Sequence, residues 1–560
     1  MEKPWLAHYE EQVPKTVTIP EQTIPDIFDA AVRLNSQTSA YIFFGRRFSY
    51  AEINEMVGRF AAYLAHLGVK KGDRVAIILP NVPQYPVAHY AIMRLGAIAV
   101  PTNPLYVERE LEHQLTNSGA TVAIVLDLLY KRLEAVRPKT QLRAVIYTSV
   151  RDCLPPPLRW LYPLKAKREG TWIKVAPTAN TYLFVDLMKR AANGEFPAAP
   201  QVELKSTDVA IFLYTGGTTG VSKGAVLTHR NLVANLVQLR AWNYGLQEGK
   251  EVIMGVLPFF HSYGMTTCLH LGVYIRGTVV LIPRFDLKMI LPAIEKCKVT
   301  SLPGVPTMYV ALNNHPDTPK YNLRHIRACN SGGAPLPLEV AKKFEQITGG
   351  RLVEGYGLSE TSPVTHSNCI FIARREGSIG LPIPNTEAMV VDPETRQPLP
   401  AGEIGELAVR GPQVMLGYWQ MEAETKKVLQ DGWLYTGDMA KMDTEGFFYI
   451  VDRKKDMIIA GGFNIYPREI EEVLYKHAKV IEAAVIGVQD AYRGETVKAF
   501  IVLREGETAS EEEIIAFCRQ DLARYKVPKL VEFRKELPKS LIGKVLRRVL
   551  VEEEKAKTQA

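Results

Sequence analysis

Residues 208–239 read DVAIFLYTGGTTGVSKGAVLTHRNLVANLVQL. DVAIFLY is a continuous apolar run of the kind that fills a buried strand. AVLTHRNLVANLVQL follows, and Thr228 is placed to cap a helix that starts near His229. Strand, glycine-rich loop and helix form the context in which backbone N–H groups cradle phosphates. Gly216, Gly217 and Gly220 let a backbone approach oxygens closely, the hydroxyls of Thr215, Thr218, Thr219 and Ser222 donate, and Lys223 adds charge. A Walker A loop requires GxxxxGK[ST], but Lys223 is preceded by serine and followed by glycine. The stretch points to phosphate and away from a Walker-type ATPase.

Upstream, GDRVAIILPNVPQYPVAHYAIMRLGAIAVPTNP (72–104) reads as strand, helix, glycine stop, strand. The strands fall at 74–79 and 97–100 and the helix at 87–95, which makes a βαβ unit and implies a parallel sheet covered by helices. The same grammar recurs at ATVAIVLD and at GTVVLIP followed by LKMILPAIEKCK. The last hundred residues differ. EAAVIGVQD and VKAFIVLREG read as short strands, and Ser510 with Glu513 forms an S-x-x-E capping box for a helix. The fold class is therefore α/β, with a large N-terminal domain of several subdomains (1–453) and a small α+β domain (454–560) joined through the charged segment DRKKD.

A chain of 560 residues exceeds one hydrophobic core, so more than one domain is expected. A net charge of +8 is too diffuse to imply nucleic acid and supports at most a preference for anionic ligands. The six cysteines are scattered without a CxxC pair, which argues against a zinc site or a disulfide framework and for a reducing cytoplasm. MEKPWLAHYEEQVPK lacks the apolar core of a secretory signal. No apolar run approaches the roughly 20 residues that span a bilayer. The expectation is a soluble cytoplasmic protein, at most attached to the inner membrane surface.

Further motifs then follow in order: LPFFHSYG (257–264), NSGGAPL (330–336), GYGLSETSP (355–363), DGWLYTGDMAKMDTEGFFYIVDRKKDMI (431–458) and PKSLIGKVLRR (538–548). Together with YTGGTTGVSKGAVLTHRN, the set resembles the adenylate-forming superfamily of acyl-CoA synthetases, firefly-type luciferases and nonribosomal peptide adenylation domains. The long DGWLYTGD…IVDRKKD stretch is most similar to fatty acyl-CoA synthetases.

The resemblance implies two steps, attack of a carboxylate on the α-phosphate of ATP and then displacement of AMP by the thiol of coenzyme A. It implies nucleotide contacts along the glycine-rich loop from Tyr214 and Thr215 to Lys223, at Gly333, and at Tyr356, Gly357 and Ser359. Tyr356 offers an aromatic face to adenine, and Ser359 donates to the α-phosphate. Glu360 is a hard oxygen ligand suited to Mg²⁺, and the resemblance makes Thr215 share that metal. Asp438 matches the ribose-binding aspartate, and Arg453 the ribose contact at the domain junction. Lys544 matches the lysine over the α-phosphate and carboxylate, and His261 lies at the inner end of the acyl pocket. Gly461 and Gly462, within AGGFNIYPREIEE, line the pantetheine channel after the small domain turns about 452–455. Glu354 receives no role beyond proximity to adenine.

The leading reading is a medium- or long-chain fatty-acid–CoA ligase. An aryl-CoA ligase or luciferase-like enzyme would share every ATP-side motif. A non-catalytic acyl or nucleotide binder is opposed by the presence of Glu360, Lys544 and the phosphate loop. The resemblance leaves a homodimer open. CLPPPLRWLYPLKAKREGTWIKV (153–175) combines Trp160, Leu161, Tyr162, Leu164 and Trp172 with Arg159, Lys165, Lys167, Arg168 and Lys174, a composition suited to anionic lipid. The prolines at 155–157 are expected to hold off the start of a helix there.

Overall fold

The 208–239 stretch departs from strand, loop, helix in one respect. A second strand, Lys223–Thr228, intervenes and pairs antiparallel with Val209–Thr215, so the two strands that flank the glycine-rich stretch are hairpin partners. Ala225, Val226 and Leu227 favour this pleated, buried surface, and the helix His229–Trp242 begins only after it. Thr228 caps that helix as expected. Its hydroxyl accepts from the Asn231 N–H at 3.2 Å, and the Asn231 side chain accepts from the Thr228 N–H at 2.9 Å. The six-residue strand Lys223–Thr228 therefore separates the helix N-terminus from the glycine-rich stretch in sequence.

The computed structural model describes residues 2–176, 178–215, 222–370, 374–460, 463–490, 493–540 and 544–559. The hairpin lies near one side of an eight-stranded sheet, where the short strand Gly417–Tyr418 pairs outside Lys223–Thr228 and forms the edge. From Val209–Thr215 the sheet runs parallel through Ile98–Pro101, Arg74–Ile78, Val122–Leu126, Ala144–Thr148 and Thr181–Leu183. The βαβ reading holds: helix Gln84–Arg94 bridges Arg74–Ile78 and Ile98–Pro101 and is buried along nearly its whole length. The GTVVLIP segment supplies Thr278–Leu281 to a second sheet, parallel to Val252–Gly255 and Ser39–Phe43. Ala328–Ser331 and Arg351–Gly357 lie parallel in a third. An antiparallel sheet that includes Trp433–Met442 and Phe448–Arg453 precedes the smaller C-terminal domain.

That smaller domain is built on the hairpin Val480–Asp490 and Gly494–Leu503, with Leu530–Phe533 parallel at its side. The two-residue period divides its apolar side chains between two cores. Ala483, Val485, Ala499 and Ile501 pack with Ile470 and Ile514 on one face, while Ala484, Ile486 and Phe500 meet Leu550 on the other. Ser510 caps Glu511–Asp521 through the Glu513 N–H at 3.2 Å, but the reciprocal half of the capping box is not made. The Glu513 carboxylate instead pairs with Lys479 at 2.7 Å.

The prolines at 155–157 do not delay a helix, since Pro156–Arg168 starts among them. Proline is tolerated in a first turn because its missing N–H would have had no partner there. Among the described residues no helix is long and apolar enough to cross a membrane.

Candidate active site

A cleft of about 2900 Å³ runs between the hairpin, the third sheet and the small domain. Its walls carry Tyr214, Thr215, Lys223, His261, Gly333, Tyr356, Gly357, Ser359, Glu360, Asp438, Arg453 and Lys544. Positions spread over 330 residues of sequence therefore face one space. Gly216, Gly217, Thr218, Thr219, Gly220, Gly461 and Gly462 lie outside the described residues.

The GYG segment ends the strand Arg351–Gly357, where a register shift after Tyr356 turns the chain out of the sheet. Gly357 presses on the next strand. An added Cβ would collide with the Pro363 carbonyl and sit 2.9 Å from the Val364 Cα. Gly357→Ala is therefore expected to destabilise the protein by about 1–3 kcal/mol, as overpacking does. An unchanged thermal melt would show that the strands have room to part. A short 3₁₀ turn, Ser359–Thr361, follows and brings Glu360 to the cleft. The Tyr418 hydroxyl donates to the Glu360 carboxylate at 2.8 Å, and the Met415 N–H holds the Glu360 carbonyl at 2.8 Å. Burial raises the Glu360 carboxyl above its ordinary range, and the bond from Tyr418 works the other way. The Ser359 hydroxyl lies 3.3 Å from that of Ser262.

Asp438 and Arg453 are direct cross-strand partners in the antiparallel ladder. Arg453 Nε lies 3.2 Å from Asp438 Oδ1, and the Tyr356 hydroxyl donates to Oδ2 at 2.5 Å. An aromatic face, a buried carboxylate and a guanidinium are thus fixed as one unit. Across the cleft, Lys544 is held by a local loop in which its N–H bonds Ser540 Oγ at 3.1 Å and the Ser540 N–H bonds its carbonyl at 2.8 Å. Burial and then the Arg453 charge lower the Lys544 ammonium to about 8, with Asp438 opposing. His261 is lowered to about 4, first by burial and then by the charge of Lys544, so both groups face the same space. His261 Nδ1 accepts from the Tyr263 N–H at 3.3 Å.

Two residues of the hairpin are engaged by protein. Lys223 pairs with Glu424 at 2.5 Å and stands 5.2 Å over the Tyr418 ring. The Tyr214 hydroxyl donates to Asn117 Oδ1 at 2.6 Å, and Tyr214 and Thr215 both line the cleft. Sequence reasoning missed Tyr418 and Glu424, which lie on MLGYWQMEAE, a segment without a chemistry-bearing pattern. It also left Glu354 idle. That carboxylate accepts from the Leu336 N–H at 3.1 Å, faces Arg468 of the small domain at 3.9 Å, and is pushed up to about 7 by burial.

Comparison with known proteins places this geometry. Residues 28–419 match the family described as AMP-binding enzyme, and residues 469–544 match the AMP-binding enzyme C-terminal domain. The chain is 48% identical over 554 residues to the long-chain-fatty-acid–CoA ligase of Bacillus subtilis (strain 168), covering 99% of this chain and 98% of that one. It is 42% identical over 564 residues to the protein of the same name from Escherichia coli O157:H7, covering 100% of this chain and 99% of that one. Among solved structures, ATP-bound MatB from Rhodopseudomonas palustris superposes with a TM-score of 0.81 at 31% identity, over 95% of this chain and 99% of that one. The anthranilate CoA ligase AuaEII in complex with anthranoyl-AMP gives 0.85 at 26% identity, over 97% and 99%. With these matches along nearly its whole length, the chain belongs to the AMP-binding enzyme family.

Proposed function

We propose that the protein is a fatty-acid–CoA ligase acting on medium and long chains. ATP and the fatty acid give acyl-adenylate and pyrophosphate, and coenzyme A then takes the acyl group and AMP leaves. The observation that carries this reading is the 48% identity, over 99% of the chain, to a long-chain-fatty-acid–CoA ligase. The test is a substrate panel of short to long fatty acids and aromatic acids, scored for AMP and acyl-CoA. Turnover with palmitate and little with benzoate is expected; the reverse pattern would make this an aryl-acid ligase.

In the first step a fatty-acid carboxylate oxygen attacks the α-phosphorus, and the bond to the bridging oxygen breaks as pyrophosphate leaves. Negative charge gathers between carboxylate and phosphate, the region that Lys544 faces. Tyr356 supports the adenine, Asp438 and Arg453 take the ribose, and Ser359 donates to the α-phosphate. His261, held neutral at physiological pH, orients the carboxylate as a hydrogen-bonding group. In the second step the thiol sulfur attacks the acyl carbon, the bond to the AMP oxygen breaks, and the thiol proton is lost to solvent or the departing phosphate.

The donors suit magnesium. Glu360 and Thr215 are hard oxygen ligands, and among the described residues no group of three or more His, Cys, Asp or Glu could hold a metal. One carboxylate completed by triphosphate oxygens and water is the usual setting for this ion. When bound, it neutralises charge on the triphosphate.

Lys544 standing over the nucleotide would obstruct coenzyme A. The small domain after residue 453 therefore turns about 452–455 between the steps, withdrawing Lys544 and presenting the 461–464 segment to the thiol.

The outer face of Pro156–Arg168 supplies a contact with anionic membrane. Only Ala166 is buried and Tyr162 is partly so, whereas Leu158, Trp160, Leu161 and Leu164 point to solvent, Trp160 being 71% exposed. Lys165, Lys167, Arg168 and Lys174 flank them, each adding about 1 kcal/mol near an anionic surface. Vesicles containing phosphatidylserine are expected to float the protein and neutral ones to float less. Retention that is unchanged after Trp160→Ala and Leu164→Ala together would assign the outward side chains another role.

A further inference from the structure

Arg547 stands three residues beyond Lys544, at the start of the helix Arg547–Gln559. Its guanidinium grips Glu471 through both nitrogens of a fork, Nε to Oε1 at 3.2 Å and Nη2 to Oε2 at 2.7 Å. The remaining nitrogen, Nη1, lies 3.0 Å from Asp452 Oδ1 and 3.4 Å from Asp456 Oδ2. These partners fall at the start of the proposed hinge and beyond it, Asp452 being the hinge residue still held in the large domain's ladder. Glu471 and Asp456 follow it in sequence and travel with Arg547, but Asp452 belongs to the strand Phe448–Arg453, where it is the ladder partner of Met439.

Asp452 is itself fixed. It is buried, its Oδ1 also accepts from the Arg453 N–H at 2.7 Å, and its Oδ2 accepts from the Arg468 N–H at 2.8 Å. One carboxylate thus joins three elements: the strand that carries the ribose-side Arg453, the helix Pro467–Leu474, and the segment that carries Lys544. Three residues of chain reach at most about 10 Å, so anchoring Arg547 confines Lys544. A charge-assisted bond in a buried setting is strong enough to bias a rigid-body equilibrium.

We propose that Asp452 and Arg547 are positioning residues for the first half-reaction, a clamp that holds Lys544 over the reacting groups and opens when the small domain turns. The inference rests on the proposed roles of Lys544 and of the hinge. Opening costs Arg547 one of three carboxylates and Asp452 its bond from the Arg468 N–H, while Glu471 and Asp456 keep the Arg547 charge paired and the Arg453 N–H stays on Asp452. The clamp is therefore releasable, which a pair with no substitute partner would not be. A purely structural role would instead support the small domain alike in both conformers.

The test uses the full-length enzyme and both half-reactions: single-turnover pyrophosphate release with MgATP and palmitate, and acyl-CoA formation from supplied palmitoyl-adenylate and coenzyme A. Asp452→Asn is expected to slow the first by at least about tenfold, the loss of one charged hydrogen bond, and to leave the second within about twofold. Arg547→Lys keeps the charge without the fork and should fall between wild type and Arg547→Ala, which covers the case in which Asp452→Asn does not fold. In the Lys544→Ala background, Asp452→Asn should add no further loss to adenylation, because it acts through Lys544. Equal slowing of both half-reactions, or losses that multiply in the double variant, would overturn the clamp. If Lys544→Ala alone left adenylation at the wild-type rate, the role of that lysine would fall and the clamp with it. A split phenotype for Lys544→Ala without one for Asp452→Asn would remove the clamp alone.

Discussion

Replacing Lys544 by alanine is expected to slow acyl-adenylate formation by about two to three orders of magnitude, and to leave thioester formation from supplied acyl-adenylate within about threefold of wild type. The magnitude follows from removing a fixed cation from a site where charge builds up in a partly desolvated cleft. The asymmetry follows from the second step, in which the leaving AMP carries charge that was already present. The lowered ammonium adds a pH signature. In the ligand-free cleft Lys544 loses its proton as the pH rises through about 8, so adenylation should decline on that alkaline side, at a somewhat higher pH once the triphosphate is bound. Lys544→Arg should flatten the limb, since a guanidinium stays charged. Equal slowing of both half-reactions in a folded Lys544→Ala protein would place the lysine outside the chemistry of the first step.

Glu360→Ala is expected to lower adenylation by a similar factor, about two to three orders of magnitude, with a higher magnesium requirement. Its carboxylate is the proposed acidic ligand of the ion beside Thr215, and an alanine leaves that position with the Thr215 hydroxyl and water. Because burial raises this carboxyl, the anionic form that binds metal is lost at a higher pH than for an ordinary glutamate. Adenylation should therefore also fall on the acid side, and this limb should be shallower at saturating magnesium, which competes with the proton. Magnesium titration of single-turnover pyrophosphate release separates the outcomes. A Glu360→Ala protein with wild-type release and an unshifted metal midpoint would remove Glu360 from the metal site.

The parallel strands were readable because a strand buried on both faces needs an unbroken apolar run. The segments around Arg74–Ile78 and Val122–Leu126 have such a run and no competing period. The hairpin partner Lys223–Thr228 was hidden because its apolar residues merge with those of the helix after it, and only Thr228 marks the join. Site residues on motifs could be named one by one, but their mutual arrangement could not. Asp438 and Arg453 meet because a ladder register pairs them, and Arg547 meets Glu471 across 76 residues of chain. Tyr418 and Glu424 had no local signal at all, since a tyrosine on a two-residue edge strand and a glutamate on a short helix gain meaning only from what they face. The outward Trp160 and Leu164 were legible as composition, while the side they present depended on which turn of the helix met the core.

The pairs on the phosphate wall, Tyr418 with Glu360 and Lys223 with Glu424, set an order of arrival. A lone cation reaching Glu360 must displace a phenol hydroxyl bonded at 2.8 Å, and a lone polyanion reaching Lys223 must strip it from a carboxylate at 2.5 Å. Losing the Tyr418 hydroxyl leaves a buried carboxylate to be compensated, whereas Glu424 keeps Lys427 as a partner when Lys223 turns away. On the proposed roles of these residues, a nucleotide that arrives already chelated makes both exchanges together, its ion compensating Glu360 as its phosphates take Lys223. The wall therefore favours the chelate over either component taken up separately.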